Sequence, residues 1–193
     1  ASPEKLFSIN NNDLTLEAIA GTSSSQINKD LLFNSEKNLR EHQYVVNYLI
    51  ECLQKLGINH FQKSDLKVKN FGNVLHLHTL INSSITEVCP FEILKVLHPS
   101  PAVCGIPQKI ALQWINTLEP FSRGNYASPI GWVDIEGNSD FRVAIRGARY
   151  INKEIQFTAG AGLVKDSNCL DEVEEIKLKF ESIANQIFLS KIV

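Results

Sequence analysis

The stretch DEVEEIKLKFESI, residues 171–183, places many carboxylates at the head of one predicted helix. At about 100° per residue, Glu172 and Lys179 fall almost on one line and Glu175 lies roughly 60° from it, so the three share a face. A neighbouring apolar stripe, which begins about 100° away at Val173, consists of Val173, Ile176, Phe180 and Ile183. We expect the helix to dock by this stripe and to carry its acids along the seam or toward solvent. A solvated acidic face is the common explanation, so a ligand site needs support from elsewhere.

A second acid stands at the head of an apolar line in another predicted helix. Val45, Leu49 and Leu53 step by four residues, and the same step backward lands on Glu41. A buried carboxylate is costly unless a cation or hydrogen-bond donors meet it. Glu41 is therefore a candidate ligand residue, and a position beyond the edge of the core, in solvent, is the equal alternative.

An arginine in FRVAIRGARY is a candidate anion contact. Strict alternation in a strand places Phe141, Val143 and Ile145 on one face and Arg142, Ala144, Arg146 and Ala148 on the other. Arg146 is flanked by alanines, which leaves room for its guanidinium to bind a carboxylate through two hydrogen bonds. An ordinary exposed arginine beside small residues is the commoner explanation.

Glycines and histidines add weaker signals. Gly160 and Gly162 in TAGAGLV permit close approach of a ligand to the backbone, although a turn after a strand uses the same residues. His76 and His78 alternate on one strand face, where a metal pair is unspecific and a structural histidine is commoner. Separated carboxylates, an arginine and a glycine-rich turn together suit a hard divalent cation and a small anionic substrate.

The elements that must position these residues follow from periodicity and turn signals. NNND predicts a hairpin between strands near 5–9 and 14–19, ending in Gly21, with the polar loop TSSSQINKD after it. Asn34 or Ser35 caps a long helix that runs to about Leu56 and closes at Gly57. Further elements are a strand at GNVLHLHTLI, helices at 91–97 and 107–118, strands at 130–135, 141–150 and 155–158, and the final helix. The pattern predicts mixed α and β structure with mostly antiparallel neighbours.

Composition limits the class of protein. The 193 residues are 44% hydrophobic, which suits one large domain or part of one. A net charge of -2 and the lack of a long apolar run predict a soluble protein without nucleic-acid or membrane partners. No CxxC pair occurs among the four cysteines Cys52, Cys89, Cys104 and Cys169. We therefore expect reduced thiols in the cytoplasm or a plastid-like equivalent. No Met occurs, and we expect the native start to be missing.

Eight motifs in order carry a family resemblance. They are SPEKL, AIAGT, SEKNLREHQYVV, LHPSPAVCGIP, EPFSRGNYASPIGW, VAIRGARY, FTAGAGLVKDS and EVEEIKLK. In this order they resemble the C-terminal half of the chorismate-utilising enzymes, which include isochorismate, salicylate, anthranilate and aminodeoxychorismate synthases. The resemblance implies an α+β sandwich of mainly antiparallel sheets with helices outside, in which residues 1–193 form the C-terminal part of a single chorismate-binding catalytic domain.

Within this family, LHPSPAVCGIP resembles the isochorismate synthase version. Ala20 stands where the aminodeoxychorismate enzymes place a nucleophilic lysine, which disfavours that chemistry. The distinction from anthranilate synthase rests mainly on the loop through Ala102 and Val103. The implied function is a Mg²⁺-dependent isochorismate synthase that acts on chorismate. The alternatives are a salicylate synthase, which goes on to eliminate pyruvate, and a non-catalytic chorismate- or metal-binding fragment or interaction half.

The resemblance also implies roles for individual residues. Glu41 and Glu175 match the magnesium ligands, and Glu172 matches the acid that holds metal-bound water. Glu4 matches the general acid. Substrate-binding positions match at Arg146, Gly160 and Lys179 for the carboxylate, Thr22 and His76 in the pocket, and Ala102 and Val103 along the substrate ring.

The chain departs from the family pattern in two places. The family's general base is a lysine upstream of SPE, and no residue precedes Ala1 here. TSSSQ replaces a loop in which relatives often continue with Arg and Pro. We expect the chain to need the N-terminal half of the same protein, to be inactive alone, and to expose an apolar inner face that favours aggregation or pairing. Its oligomeric state stays open.

Overall fold

The computed structural model describes residues 4–24, 29–71, 74–86 and 88–189. Residues 25–26 of the divergent loop and 72–73 at the start of a predicted strand lie outside these ranges. The strands are β1 (Glu4–Asn10), β2 (Asp13–Ser24), β3 (Gln62–Lys63), β4 (Lys67–Phe71), β5 (Val74–Ser84), β6 (Pro129–Val133), β7 (Ser139–Val143), β8 (Gly147–Ile151) and β9 (Glu154–Thr158). The helices are α1 (Lys29–Phe33), α2 (Glu36–Lys55), α3 (Pro90–Leu97), α4 (Gln108–Leu118) and α5 (Cys169–Leu189).

Seven strands form one sheet in the order β3-β5-β2-β1-β7-β6, with β4 also paired to β5, and β8 and β9 form a separate hairpin. Every one of these pairs is antiparallel. The expected α+β class with antiparallel sheets is confirmed. No helix in the described ranges combines the length and the apolar character needed to cross a membrane.

The β1–β2 hairpin forms where NNND predicted it. Asn11 and Asn12 adopt positive φ angles of 49° and 67°, the conformation that a tight two-residue hairpin turn requires and that asparagine tolerates well. The pairing of β1 with β2 stops at Phe7 and Leu16, whereas β1 continues along β7 as far as Glu4 opposite Val143. The two strands therefore separate at the end where Glu4 lies.

Helix α2 packs on one face of the sheet and has the predicted bounds. Ser35 is its N-cap and accepts a hydrogen bond from the Asn38 amide, and Gly57 follows the helix with a φ of 76°. Val45, Leu49 and Leu53 are all at most 5% exposed and belong to the main core. Burying each such side chain contributes about 1.5–3 kcal/mol, so this stripe fixes the rotation of α2 and the direction of Glu41.

Strand β2 extends past its predicted end at Gly21. A bulge between Ala20 and Thr22 lets it continue to Ser24. Gly21 has a φ of 77°, and a Cβ there would lie 2.9 Å from the Asn38 carbonyl oxygen, so only glycine lets β2 approach the first turn of α2 this closely. The loop interpretation of TSSSQINKD was wrong at both described ends, because Thr22–Ser24 lie in β2 and Lys29 begins α1.

The predicted strand 141–150 is two strands with a break between them. Phe141 and Val143 point into the core as predicted, but Arg146 has a φ of 50° and ends the alternation. The chain turns there because Ala144 bonds through both its backbone groups to residues 127 and 128 rather than continuing the β7 ladder. Arg146 is only 4% exposed, so the alternative of an ordinary exposed arginine was wrong.

The first turn of helix α5 buries a different face from the one predicted. Val173, in the stripe expected to dock, is 43% exposed, whereas Glu172 is 4% exposed; of that stripe Ile183 is buried as expected. The hydrophobic pattern therefore predicted the orientation of the later turns only. A helix that buries an acid and exposes a valine needs a local partner for the acid.

Candidate active site

The buried acid of α5 lies at the centre of the candidate site. Glu172 Oε1 accepts a hydrogen bond from Lys37 Nζ on α2 at 2.5 Å. The other oxygen, Oε2, is buried and has no hydrogen-bond partner within the part of the chain that the structure describes. A buried carboxylate oxygen without a donor is costly, so a cation or a ligand donor suits this position.

The next turn of α5 carries a buried ion pair. Lys179 Nζ lies 2.7 Å from Glu175 Oε1, and their side chains are only 12% and 13% exposed. Lys179 Nζ also donates to the carbonyl oxygen of Gly160 at 2.8 Å. These two bonds hold the ammonium between α5 and the loop after β9. The predicted substrate contacts Gly160 and Lys179 therefore lie together.

Glu41 faces the same group from α2. Burial and the negative charge of Glu175 raise the pKa of Glu41, Lys37 and Lys179 oppose the rise, and the resulting pKa is about 7. A Cβ at Gly162 would lie 2.3 Å from Glu41 Oε1, so a glycine is what allows this carboxylate to reach its position. The alternative that Glu41 lies beyond the core in solvent does not hold.

The three predicted metal ligands influence one another without forming a ready-made metal centre. Glu175 and Glu172 both raise the pKa of Glu41. Within the described ranges, however, no three side chains of His, Cys, Asp or Glu are grouped so that they could hold a metal ion. Their convergence on one ion stays a prediction. Carboxylate oxygens are ligands that Mg²⁺ prefers. Because Glu172 Oε2 also has no hydrogen-bond donor among the described residues, the residues present fit this ion.

Glu4 and Arg146 are coupled through their charges. Burial raises the pKa of Glu4, the positive charges of Arg146 and Lys179 oppose the rise, Glu17 and Glu41 add to it, and the resulting pKa is about 7. Burial lowers the pKa of Arg146, and Glu4 opposes that shift. The net result is a carboxyl group that keeps its proton near neutral pH close to two cations.

Thr22 and His76 form a neighbouring pair. They oppose each other on β2 and β5, with Thr22 Oγ1 3.1 Å from His76 Nδ1. Burial and the positive charges of Arg146 and Lys179 lower the pKa of His76, and the resulting pKa is about 3. His76 is therefore neutral at physiological pH. His78 instead contacts Glu17 at 2.9 Å, so the two histidines have separate partners and do not act as a metal pair.

Ala102 and Val103 share a cleft with Glu4. The cleft opens where β1 leaves β2 and is also lined by Val45 and Leu49 of α2. The Val103 carbonyl oxygen accepts a hydrogen bond from Arg123 Nη1 at 2.6 Å, which fixes the loop. The structure thus brings the two predicted ring-lining residues beside the predicted general acid.

A groove of about 650 Å³ lies elsewhere, at the turn end of the β1–β2 hairpin. It is lined by residues such as Asp13, His60 and Ser84, and by none of the predicted site residues. Its lining brings together no cluster of opposite charges comparable to that around Glu172. We therefore assign the site by its chemistry rather than by the size of the groove.

Sequence reasoning missed three residues of this region. Lys37 donates a hydrogen bond to Glu172. The hydroxyl of Tyr126 lies 2.7 Å from the position that a Cβ at Gly160 would take. The negative charge of Glu17 raises the pKa of Glu4. Lys37 stands four residues before Glu41, one helical turn away on the same face, and this spacing could have identified it. Tyr126 and Glu17 carry no local sequence signal, since only the fold brings them to the site.

The fold and these side chains define an α+β protein whose site combines buried carboxylates with lysine and arginine at one end of an antiparallel sheet. Such a site suits a small ligand that bears carboxylates. The sequence profile described as chorismate binding enzyme matches residues 1–188. The chain belongs to this family.

Three relatives illustrate the similarity. The isochorismate synthase MenF of Bacillus subtilis (strain 168) is 34% identical over 196 residues, which cover 97% of this chain and 41% of that protein. The solved structure of MenF, the menaquinone-specific isochorismate synthase from Escherichia coli, has a TM-score of 0.82 at 30% identity and covers 95% of this chain and 44% of its own. Anthranilate synthase component I from Streptococcus pneumoniae TIGR4 has a TM-score of 0.80 at 30% identity, with coverages of 95% and 42%. The chain spans less than half the length of each.

Proposed function

We propose that the protein built on this chain converts chorismate to isochorismate with Mg²⁺ as its cofactor. The observation that carries the proposal is the set of charges around Glu4, where Arg146 and Lys179 oppose Glu41 and Glu17. A protonated carboxyl beside two cations suits acid catalysis on an anionic substrate. Relatives named isochorismate synthase support the choice of reaction.

The metal would be held by the acids that face each other across α2 and α5. Glu41 and Glu175 would bind Mg²⁺, and Glu172 would hold its water through the oxygen that lacks a donor. When bound, Mg²⁺ supplies positive charge that neutralises a carboxylate of chorismate. Gly162 supports this assignment because it leaves the space that Glu41 occupies.

Glu4 would act as the general acid. In the reaction, water adds at C2 of chorismate, the C4 hydroxyl leaves and the double bonds shift. Glu4 would give its proton to the departing hydroxyl, and a pKa of about 7 supports this role because much of the group stays protonated near neutral pH. The family resemblance assigns the base that activates the water to a lysine upstream of SPE.

The cations and the pocket residues would orient the substrate. Arg146 can bind a carboxylate through two hydrogen bonds, and Lys179 adds a second positive charge fixed by Gly160. Neutral His76, paired with Thr22, offers a hydrogen-bonding group without adding charge. Ala102 and Val103, which line the cleft with Glu4, would contact the substrate ring.

The residue at position 20 disfavours an enzyme-bound amine as the nucleophile. Ala20 occupies the position of the aminodeoxychorismate lysine, and its side chain has no amino group. It is 7% exposed and packs in the main core. The loop through Ala102 and Val103 resembles the isochorismate synthase version. Salicylate synthase is the second candidate, since it makes isochorismate before it eliminates pyruvate.

The test is a product analysis. The full-length protein and the 193-residue chain are incubated with chorismate and MgCl₂, with and without EDTA, and the products are separated by chromatography. We expect isochorismate from the full-length protein with Mg²⁺ only, and none from the 193-residue chain. General-base help is worth about 10²–10⁴-fold, which is the loss expected when the upstream lysine is absent.

Each other product would change the proposal. Salicylate and pyruvate from the full-length protein would favour the salicylate synthase alternative. Anthranilate formed in the presence of ammonium would show that the loop through Ala102 and Val103 was misinterpreted. Binding of chorismate without turnover would favour a non-catalytic chorismate-binding protein. Isochorismate from the 193-residue chain at the parent's rate would show that a residue within the chain is the base.

A further inference from the structure

We propose that Lys37 is a built-in counter-cation that holds Glu172 while the metal is absent and competes with a divalent cation for the site. The inference rests on the proposed magnesium site. It adds a role for a residue that contacts a candidate metal ligand without itself being able to bind a metal, because a protonated lysine has three donors and no acceptor.

The first support is the geometry of the contact. Lys37 Nζ lies 2.5 Å from Glu172 Oε1. Glu172 is only 4% exposed, whereas the side chain of Lys37 is 25% exposed. Lys37 therefore reaches from the rim of the site into its interior. A lysine at the rim can withdraw into solvent when another cation arrives, because its flexible stem has four rotatable bonds.

The second support is the unused acceptor. Glu172 Oε2 is buried and has no partner in the described ranges, so Lys37 satisfies only one of the two oxygens. Lys37 and Lys179 together bring two positive charges to three facing carboxylates, so part of the negative charge stays unbalanced. A divalent cation would balance more of it, and this difference is what would drive the exchange.

The third support is the placement of Lys37 on its helix. It precedes Glu41 by four residues, so the two side chains lie on one face of α2 and both point toward α5. Lys179 has a different arrangement, since it is held by Glu175 and by the Gly160 carbonyl. Among the residues that the structure describes, Lys37 has one anchoring bond and Lys179 has two, so Lys37 is the one suited to leave.

The test measures metal binding directly. Mg²⁺ is titrated calorimetrically into the metal-free full-length protein, its Lys37→Met variant and a Lys177→Met control. Lys177 lies on α5 near the same acids but is 64% exposed and pairs with Glu174. We expect Lys37→Met to bind Mg²⁺ at least about tenfold more tightly, because a competing charge at contact distance is removed. Lys177→Met should change the affinity by less than about twofold, because exposed charges are screened.

Thermal unfolding supplies the second readout. Without metal, Lys37→Met should unfold at a lower temperature than the parent, since Glu172 is left buried without a cation. Saturating Mg²⁺ should raise its Tm more than that of the parent. Lys37→Gln, which keeps a donor for Glu172 but no charge, takes the place of Lys37→Met if that variant does not fold.

The outcomes separate this inference from the proposed function. Equal or weaker Mg²⁺ binding by the Lys37 variants, or an equal gain in Lys177→Met, would overturn the role of Lys37 while the metal site stands. Absence of Mg²⁺ binding by the parent and by every variant would overturn the metal site and the counter-cation together.

Discussion

Glu41 Oε1 lies where a side chain at Gly162 would begin, 2.3 Å from the ideal Cβ position. This contact joins α2 to the loop after β9 and leaves no room for any residue larger than glycine unless the carboxylate moves. The direction of Glu41 thus depends on a residue more than one hundred positions away in the sequence. The relationship leads to a first prediction.

Gly162→Ala should displace Glu41 and weaken Mg²⁺ binding. A contact of 2.3 Å is far inside van der Waals distance, so the carboxylate must rotate away from the site. Calorimetric titration should show a loss of at least about tenfold, the lower end of the loss seen when partners that orient metal ligands are removed. Gly147→Ala is the matched control, because a Cβ there meets nothing within 4 Å. Equal Mg²⁺ affinity in the two variants would contradict the prediction.

Glu175→Gln should weaken the binding of Mg²⁺ and of chorismate together. The substitution removes one anionic oxygen, and the ion is expected to join the protein to the substrate. The neighbouring Glu174→Gln removes the same charge from a side chain that is 63% exposed and should leave both affinities nearly unchanged. Turnover of Glu175→Gln equal to that of the parent at low magnesium would count against the role.

Glu4 should impose a pH dependence on activity and on stability. Its folded pKa of about 7 lies above the ordinary value of 4.5, so the folded state binds the proton more tightly. The stabilisation is complete below the ordinary pKa and is lost as the pH rises through about 7. kcat/KM should fall over the same limb, because the general acid loses its proton.

Glu4→Gln is the variant that checks this assignment. It should lower kcat by about 10²–10⁴-fold and should remove the upper limb from the pH profile of the residual activity. Urea unfolding between pH 5 and 8 should depend less on pH in the variant than in the parent. An unchanged upper limb in Glu4→Gln would assign the limb to another group.

Gly160→Ala should impair substrate binding, and Tyr126→Phe should rescue it. A Cβ at position 160 would lie 2.7 Å from the Tyr126 hydroxyl oxygen but 3.9 Å from the ring carbon that carries it. Removing the hydroxyl therefore relieves the contact. We expect KM for chorismate to rise in the single glycine variant and to return toward the parent value in the double variant. Additive effects in this double-mutant cycle would show that the steric contact is not the cause.

The parts of the fold governed by local chemistry could be predicted from the sequence. The Ser35 cap and the Gly57 stop predicted the bounds of α2 almost to the residue. The Asn-rich turn predicted the β1–β2 hairpin, although β2 continues past Gly21 to Ser24. The short strands β3 and β4 were missed, because a two-residue strand and the lysine-rich KVKNF carry little alternation. They form through pairing with β5, which is a long-range interaction.

The errors at the site have a common physical cause. The hydrophobic pattern of α5 placed Glu172 along the seam or toward solvent, whereas Lys37 makes full burial of this acid tolerable. The prediction continued one strand through Arg146, whereas the positive φ of Arg146 turns the chain there, beside Glu4. In both places a charge partner from a distant segment overrides the local pattern. The sequence indicated the residue types of the candidate site, whereas the directions of Glu172 and Arg146 depend on the fold.

The placement of Glu4 on the first strand and of Glu172, Glu175 and Lys179 on the last helix has a consequence for cooperativity. A ligand that joins these residues closes a loop that runs from Glu4 to Lys179, so local opening of α5 would also release the hold of the ligand on β1. Saturation with Mg²⁺ and substrate should therefore slow amide hydrogen exchange in α5 and β1 together. Ligand binding would then couple the local stability of α5 to that of β1, two elements that lie far apart in the sequence.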